Sequence, residues 1–179
     1  MKATRNLLAA MVLGTAICAS QASAQCSGNA GSCNTTNTAS VTVGALVKLG
    51  MSSATTSLTN PTADDVDAGN VIANAGPSFT IKANRSWTLK IKSGNATNWT
   101  YVGSDAGVKP ISDLSWSTAA NGTFAAITAS DATFTSGASA SNGAAAQVFF
   151  RTSWLSDFTS ASNAPGTYSL PIVFTLTAP

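Results

Sequence analysis

Apolar residues recur at every second position in two long stretches of the chain. In "ASVTVGALVKLGM" Ala39, Val41, Val43, Ala45, Val47, Leu49 and Met51 share one face, and in "PGTYSLPIVFTLTAP" Tyr168, Leu170, Ile172, Phe174 and Leu176 do the same. A period of two is that of a strand with one buried face. Between them "SFTIKANRSWTLKIKS" predicts a hairpin: Phe79 and Ile81 point inward before an Asn84-Arg85 turn, and Trp87, Leu89 and Ile91 after it. Lys82, Lys90 and Lys92 take the wet face, which discourages edge aggregation. Further strands are predicted near 99–102, 111–117, 124–129, 132–135, 146–155 and 167–177. Residues 136–146 read as a small-residue loop or a weak strand, and "NPTADDVDAGN" as a turn-rich connection after Pro61. Helical periodicity is nearly absent, and turn residues return about every ten positions, the mark of an all-β, antiparallel Ig-like β-sandwich. Residues 39–179 are assigned to that domain.

The N-terminus follows a different pattern. Lys2 and Arg5 precede an apolar run from Leu7 to Ala19 and the small residues Ala22-Ser23-Ala24, as in a secretory signal peptide cleaved after Ala24. Residues 1–24 are therefore expected to be a signal peptide, and 25–38 an N-terminal segment carrying a cysteine loop. In an oxidising compartment Cys26 and Cys33, in "CSGNAGSC", are expected to pair, and so short a loop constrains the unfolded chain by about 2.5 kcal/mol. A zinc site would need His or a second cysteine pair, and neither is present. No later stretch approaches the length of a transmembrane helix. The expected location is secreted, extracellular or cell-surface, the periplasm included.

Charge narrows the partners. Without Lys2 and Arg5 the nine basic residues become seven, equal to the seven acidic ones. A neutral, charge-poor chain has no electrostatic footprint for nucleic acid. Every acidic residue is Asp and there is no His, so Ser-His-Asp and Cys-His catalysis are excluded. An Asp-based glycan-acting enzyme remains as a third-ranked function, but the aspartates sit beside turn formers, where capping explains them. Asp65 and Asp67 before Gly69 imitate the start of a calcium loop, although no Glu closes it. Trp99, Tyr101 and Trp116 are candidates for a glycan-binding platform, with core packing as the plainer use of the same rings. Trp87 and Trp154 are assigned to the core. Five Asn-x-Ser/Thr sequences, at Asn34, Asn84, Asn95, Asn98 and Asn121, match what a chain rich in these residues contains by chance.

At Trp87-Thr88-Leu89, followed by Phe174-Thr175-Leu176 and a final Pro179, the chain resembles the WxL-like, Ig-like secreted surface proteins of bacteria, with Phe174 where their second Trp stands. That resemblance implies a β-sandwich held noncovalently at the cell wall. The terminal strands also resemble those of bacterial pilin subunits, which implies that residues 39–51, with Gly44 inside the alternation, are given to a neighbour's sandwich. The chain lacks the Tyr near the C-terminus that pilin chaperones commonly use. The expected function is a non-catalytic secreted or cell-surface module, structural, adhesive or wall- or glycan-binding, with no cofactor. Its expected partners are a cell-wall polymer, a glycan or other surface proteins. The alternative is a strand-exchanging pilus or surface-fibre subunit that self-associates through residues 39–51. The two differ in whether 39–51 pairs within its own sandwich or leaves a hydrophobic groove open.

Overall fold

Ten strands are found among the described residues, the core ones buried on alternate residues. The structure is a computed structural model and describes residues 31–179; the expected signal peptide and Cys26 lie outside them. The chain divides into the units Met1–Thr42 and Val43–Pro179. In the first unit, residues 31–42 form no helix or strand and are exposed, and Cys33 is disulfide-bonded.

The second unit holds the strands β1 (Val47–Met51), β2 (Asn74–Ala83), β3 (Trp87–Ser93), β4 (Thr100–Val102), β5 (Leu114–Ser117), β6 (Ala125–Ala126), β7 (Ala132–Gly137), β8 (Ser141–Thr152), β9 (Thr167–Ser169) and β10 (Ile172–Thr177). They make a five-stranded sheet in the order β1-β2-β8-β5-β6, a three-stranded sheet β10-β3-β7 and a two-stranded pair β4-β9. Every pairing is antiparallel. The two larger sheets pack as a sandwich. Phe79, Ile81, Leu89, Ile91, Phe134, Val148 and Phe150 fill it, each at most 5% exposed. The Phe79, Phe134 and Phe174 rings meet with centroids 4.5–6.1 Å apart.

The expected hairpin is a crossover instead. β2 and β3 send the predicted residues inward, but from opposite sheets: β2 pairs with β1 and β8, and β3 with β7 and β10. Alternation specifies which face is buried and leaves the hydrogen-bonding partner open, so a hairpin and an arch between sheets carry the same pattern. On the outer face Lys90 and Lys92 flank Asp131 at 3.8 and 3.4 Å.

The connection after Pro61 contains a helix, α1 (Ala63–Ala68). Thr62 caps it, its hydroxyl accepting from the Asp65 amide while the Asp65 carboxylate accepts from the Thr62 amide. This reciprocal capping box was legible in Thr62-x-x-Asp65. Gly69 ends the helix at φ 77°, a left-handed conformation that glycine adopts without penalty.

Candidate functional site

The most regular apolar face in the chain is largely uncovered. Of the long N-terminal alternation only Val47–Met51 forms a strand. Val41 is 87% exposed, Val43 65%, Val47 47% and Met51 48%, and Leu49 alone of this face packs against the core. β1 thus pairs within its own sandwich, as a self-complete module requires, whereas residues 39–46 join no strand.

A groove opens where β1 leaves the sheet. The β1–β2 register runs to Met51 opposite Phe79, and Ser52 adds one bond to the Ser78 carbonyl at 2.9 Å. The next residue of β2 is Pro77, which brings no N–H to the sheet and falls in a non-bonded pair of this ladder. There the β2–β8 register also shifts, between Ala75 and Ser78. The chain peels away at this point and is caught again where the Thr59 amide donates to Asn74 Oδ1 at 3.0 Å. Between segments 53–61 and 163–174 lies a groove of about 980 Å³ that reaches the buried Leu114 and Phe150. Leu58, Pro77, Leu170, Ile172 and Phe174 line it.

β10 forms one side of this opening. It is the outer strand of its sheet, and Ile172, Phe174 and Leu176 are only half-buried. The phase of its ladder follows from the Gly94 amide, which donates to the Pro171 carbonyl at 2.8 Å. Antiparallel pairs alternate between bonded and non-bonded, so Val173, Thr175 and Thr177 turn their amides towards β3. The amides of Ile172, Phe174 and Leu176 then face the open edge. The expected continuous strand from 167 to 177 is broken at Leu170-Pro171, and its first part, β9, pairs with β4 instead.

Lys109 and Trp154 also line the groove, together with β9, and Lys109 belongs to a polar cluster. Lys109 is 1% exposed; its Nζ donates to Asp113 Oδ2 at 3.0 Å and to the Ser153 carbonyl at 2.6 Å, and lies 3.8 Å from the Trp154 ring centre. Burial pushes the Lys109 ammonium below its usual range, and the bond and charge of Asp113 oppose that shift.

The aromatic candidates do not share one exposed face. Trp99 is 9% exposed and donates from Nε1 to the Pro110 carbonyl at 3.0 Å. Tyr101 is half-buried, packs against Tyr168 with ring centres 4.9 Å apart and planes tilted by 46°, and donates to the Pro165 carbonyl at 2.7 Å. Gly103, Gly107 and Gly166 press so closely on its ring that a Cβ at any of them would collide with it. Trp116 is half-buried against Phe134, 5.7 Å between centres. Trp87 is in the core at 6% exposed, while Trp154 is half-buried over Lys109.

Asp65 is occupied by the Thr62 cap, and Asp67 lies in the same helix; among the described residues no group of three acidic, His or Cys side chains is placed to hold a metal. Among the described residues no carboxylate lines the groove. Pro77 and the Asn74–Thr59 bonds, which shape the groove, escaped the sequence reading; the signal was a proline inside an alternating run.

No protein-family profile and no curated protein matches the chain. Among solved structures, a chain from a structure of a chaperone-usher pilus aligns over 80% of this chain and 94% of that one, at 12% identity and a TM-score of 0.47, a likeness too low to fix a role.

Proposed function

We propose that the chain is a non-catalytic β-sandwich module of the cell surface whose sandwich is completed by an added strand, so that copies join by strand exchange. The observation that carries this is the open groove beside the free edge of β10, with half-buried Ile172 and Phe174 at its margin. An apolar groove next to unpaired strand amides suits an extended segment with alternate apolar side chains. The chain owns such a segment in residues 39–46, whose Val41 and Val43 are exposed.

Direction favours a second copy as acceptor. β1 begins at Val47 and ends at Met51, where the groove begins. A segment leaving at Val47 must reverse and run the length of β1, about 16 Å for five residues, before it meets its own groove. Another molecule's groove needs no reversal. Export by the segment 1–24 and a bridge from Cys33 to Cys26 belong to the same proposal, since both suit a surface location.

The test uses a synthetic peptide of residues 37–46 added to the full chain. The thermal midpoint is expected to rise with peptide concentration, as for any ligand that binds only the folded state. A peptide with Val41 and Val43 changed to Asp is expected to do nothing. Equal shifts with both peptides, or none with either, would sink the proposal.

A further inference from the structure

Asn84 holds the start of β1 in an arrangement that goes beyond ordinary strand pairing. Its backbone amide donates to the Leu46 carbonyl at 3.2 Å, its Oδ1 accepts from the Leu46 amide at 2.9 Å, and its Nδ2 donates to the Gly44 carbonyl at 2.8 Å. The bond from the Leu46 amide fixes which end of the carboxamide is oxygen, so the donor Nδ2 must face Gly44. One residue at the end of β2 therefore takes up the backbone groups of Gly44 and Leu46 that a further strand residue would otherwise pair. Gly44 has open space on its side-chain side, and the Asn84 carboxamide is bonded to its carbonyl.

We propose that Asn84 is a latch that divides the N-terminal segment into a fixed part, residues 44–51, and a free part ending at Val43, and that holds the free part extended for delivery to a second copy. This rests on the strand-exchange function above and concerns its regulation. While Asn84 is engaged, the Gly44 carbonyl and Leu46 amide are unavailable to a neighbour's β10, so the donated stretch stops before Gly44. An extended exit also lowers the ordering cost of docking, which is how pre-organisation raises affinity. The alternation across Gly44 conceals this boundary, because it places 39–43 and 45–51 on one continuous face.

The experiment compares the full chain with Asn84→Ala and Asn84→Asp, by amide hydrogen exchange and by the rate at which SDS-resistant oligomers form. Asp keeps the acceptor for the Leu46 amide and loses the donor to Gly44. In Asn84→Ala the Leu46 amide is expected to exchange at least about tenfold faster while the amides of β2 and β8 stay unchanged, as for a local opening. Oligomers are expected to form at least about fivefold more slowly, through lost pre-organisation. Asn84→Asp is expected to lie between the two in both measurements. Unchanged Leu46 exchange in Asn84→Ala, or faster exchange with an unchanged assembly rate, overturns the latch. Absence of oligomers from the unmodified chain overturns strand exchange itself, and the latch with it as a device for delivery.

Discussion

Lys109 places an ammonium among Asp113, the Ser153 carbonyl and the Trp154 ring, and its burial makes the partners more consequential than those of Lys90 or Lys92 on the surface. Removing one member of a buried pair leaves a charge with insufficient compensation, whereas removing the charge itself does not. Asp113→Ala is therefore expected to cost about 3 kcal/mol and Lys109→Met less than about half of that. Urea unfolding of both variants checks the order; a costlier Lys109→Met would show that the cluster is held by packing instead. The Asp65 carboxyl lies below its usual 3.8 because the Thr62 amide and hydroxyl donate to it, and Thr159 lowers Asp157 in the same way. Depressed carboxyl values favour the folded state above about pH 3.8, and that contribution is lost as pH falls through the folded values. Thr62→Val removes the hydroxyl bonds and keeps the amide bond, so its unfolding midpoint is expected to depend less steeply on pH between 5 and 2 than that of the parent chain. Equal slopes would contradict this assignment of the shift. Asp65 is engaged by Thr62, a partner that Asp65 and Asp67 read by themselves do not reveal.

The strands were legible where alternation is strong, and their partners were not. Phe79, Ile81, Trp87, Leu89 and Ile91 were all assigned to the inside and all are buried, yet β2 and β3 lie in different sheets because parity carries no information about pairing. The two prolines that open the groove act on hydrogen bonding, which parity also omits. Pro77 sits where the β1–β2 ladder ends and the β2–β8 register shifts, and Pro171 splits the last strand so that Tyr168 turns to Tyr101 while Phe174 turns to Phe79. Core and groove positions should consequently respond differently. Leu89, fully buried in the central strand of its sheet, is expected to lose about 3 kcal/mol as Leu89→Ala. Ile172→Ala, at a half-buried edge, is expected to cost less than about half of that and to abolish the stabilisation by peptide 37–46. A variant Ile172→Ala that still responds fully to the peptide would place the peptide elsewhere.

At the scale of the whole molecule, two alternating segments bracket the described strands, and of the first only Val47–Met51 is a strand of the sandwich. β1 and β10 approach each other across the two sheets, while residues 39–46 continue the alternation of β1 without forming a strand, and among the described residues no strand pairs with the outer side of β10. An exposed regular strand face and a free edge both invite association. Strand exchange uses both. The most direct measurement is residue-resolved amide hydrogen exchange across Ile172–Thr177, on the dilute chain and on the chain saturated with peptide 37–46. The account predicts that in the dilute chain Ile172, Phe174 and Leu176 exchange rapidly while Val173, Thr175 and Thr177 are protected, and that the peptide slows the first three selectively. Uniform protection of all six amides in the dilute chain would show that β10 already has a partner on its outer side, and would contradict it.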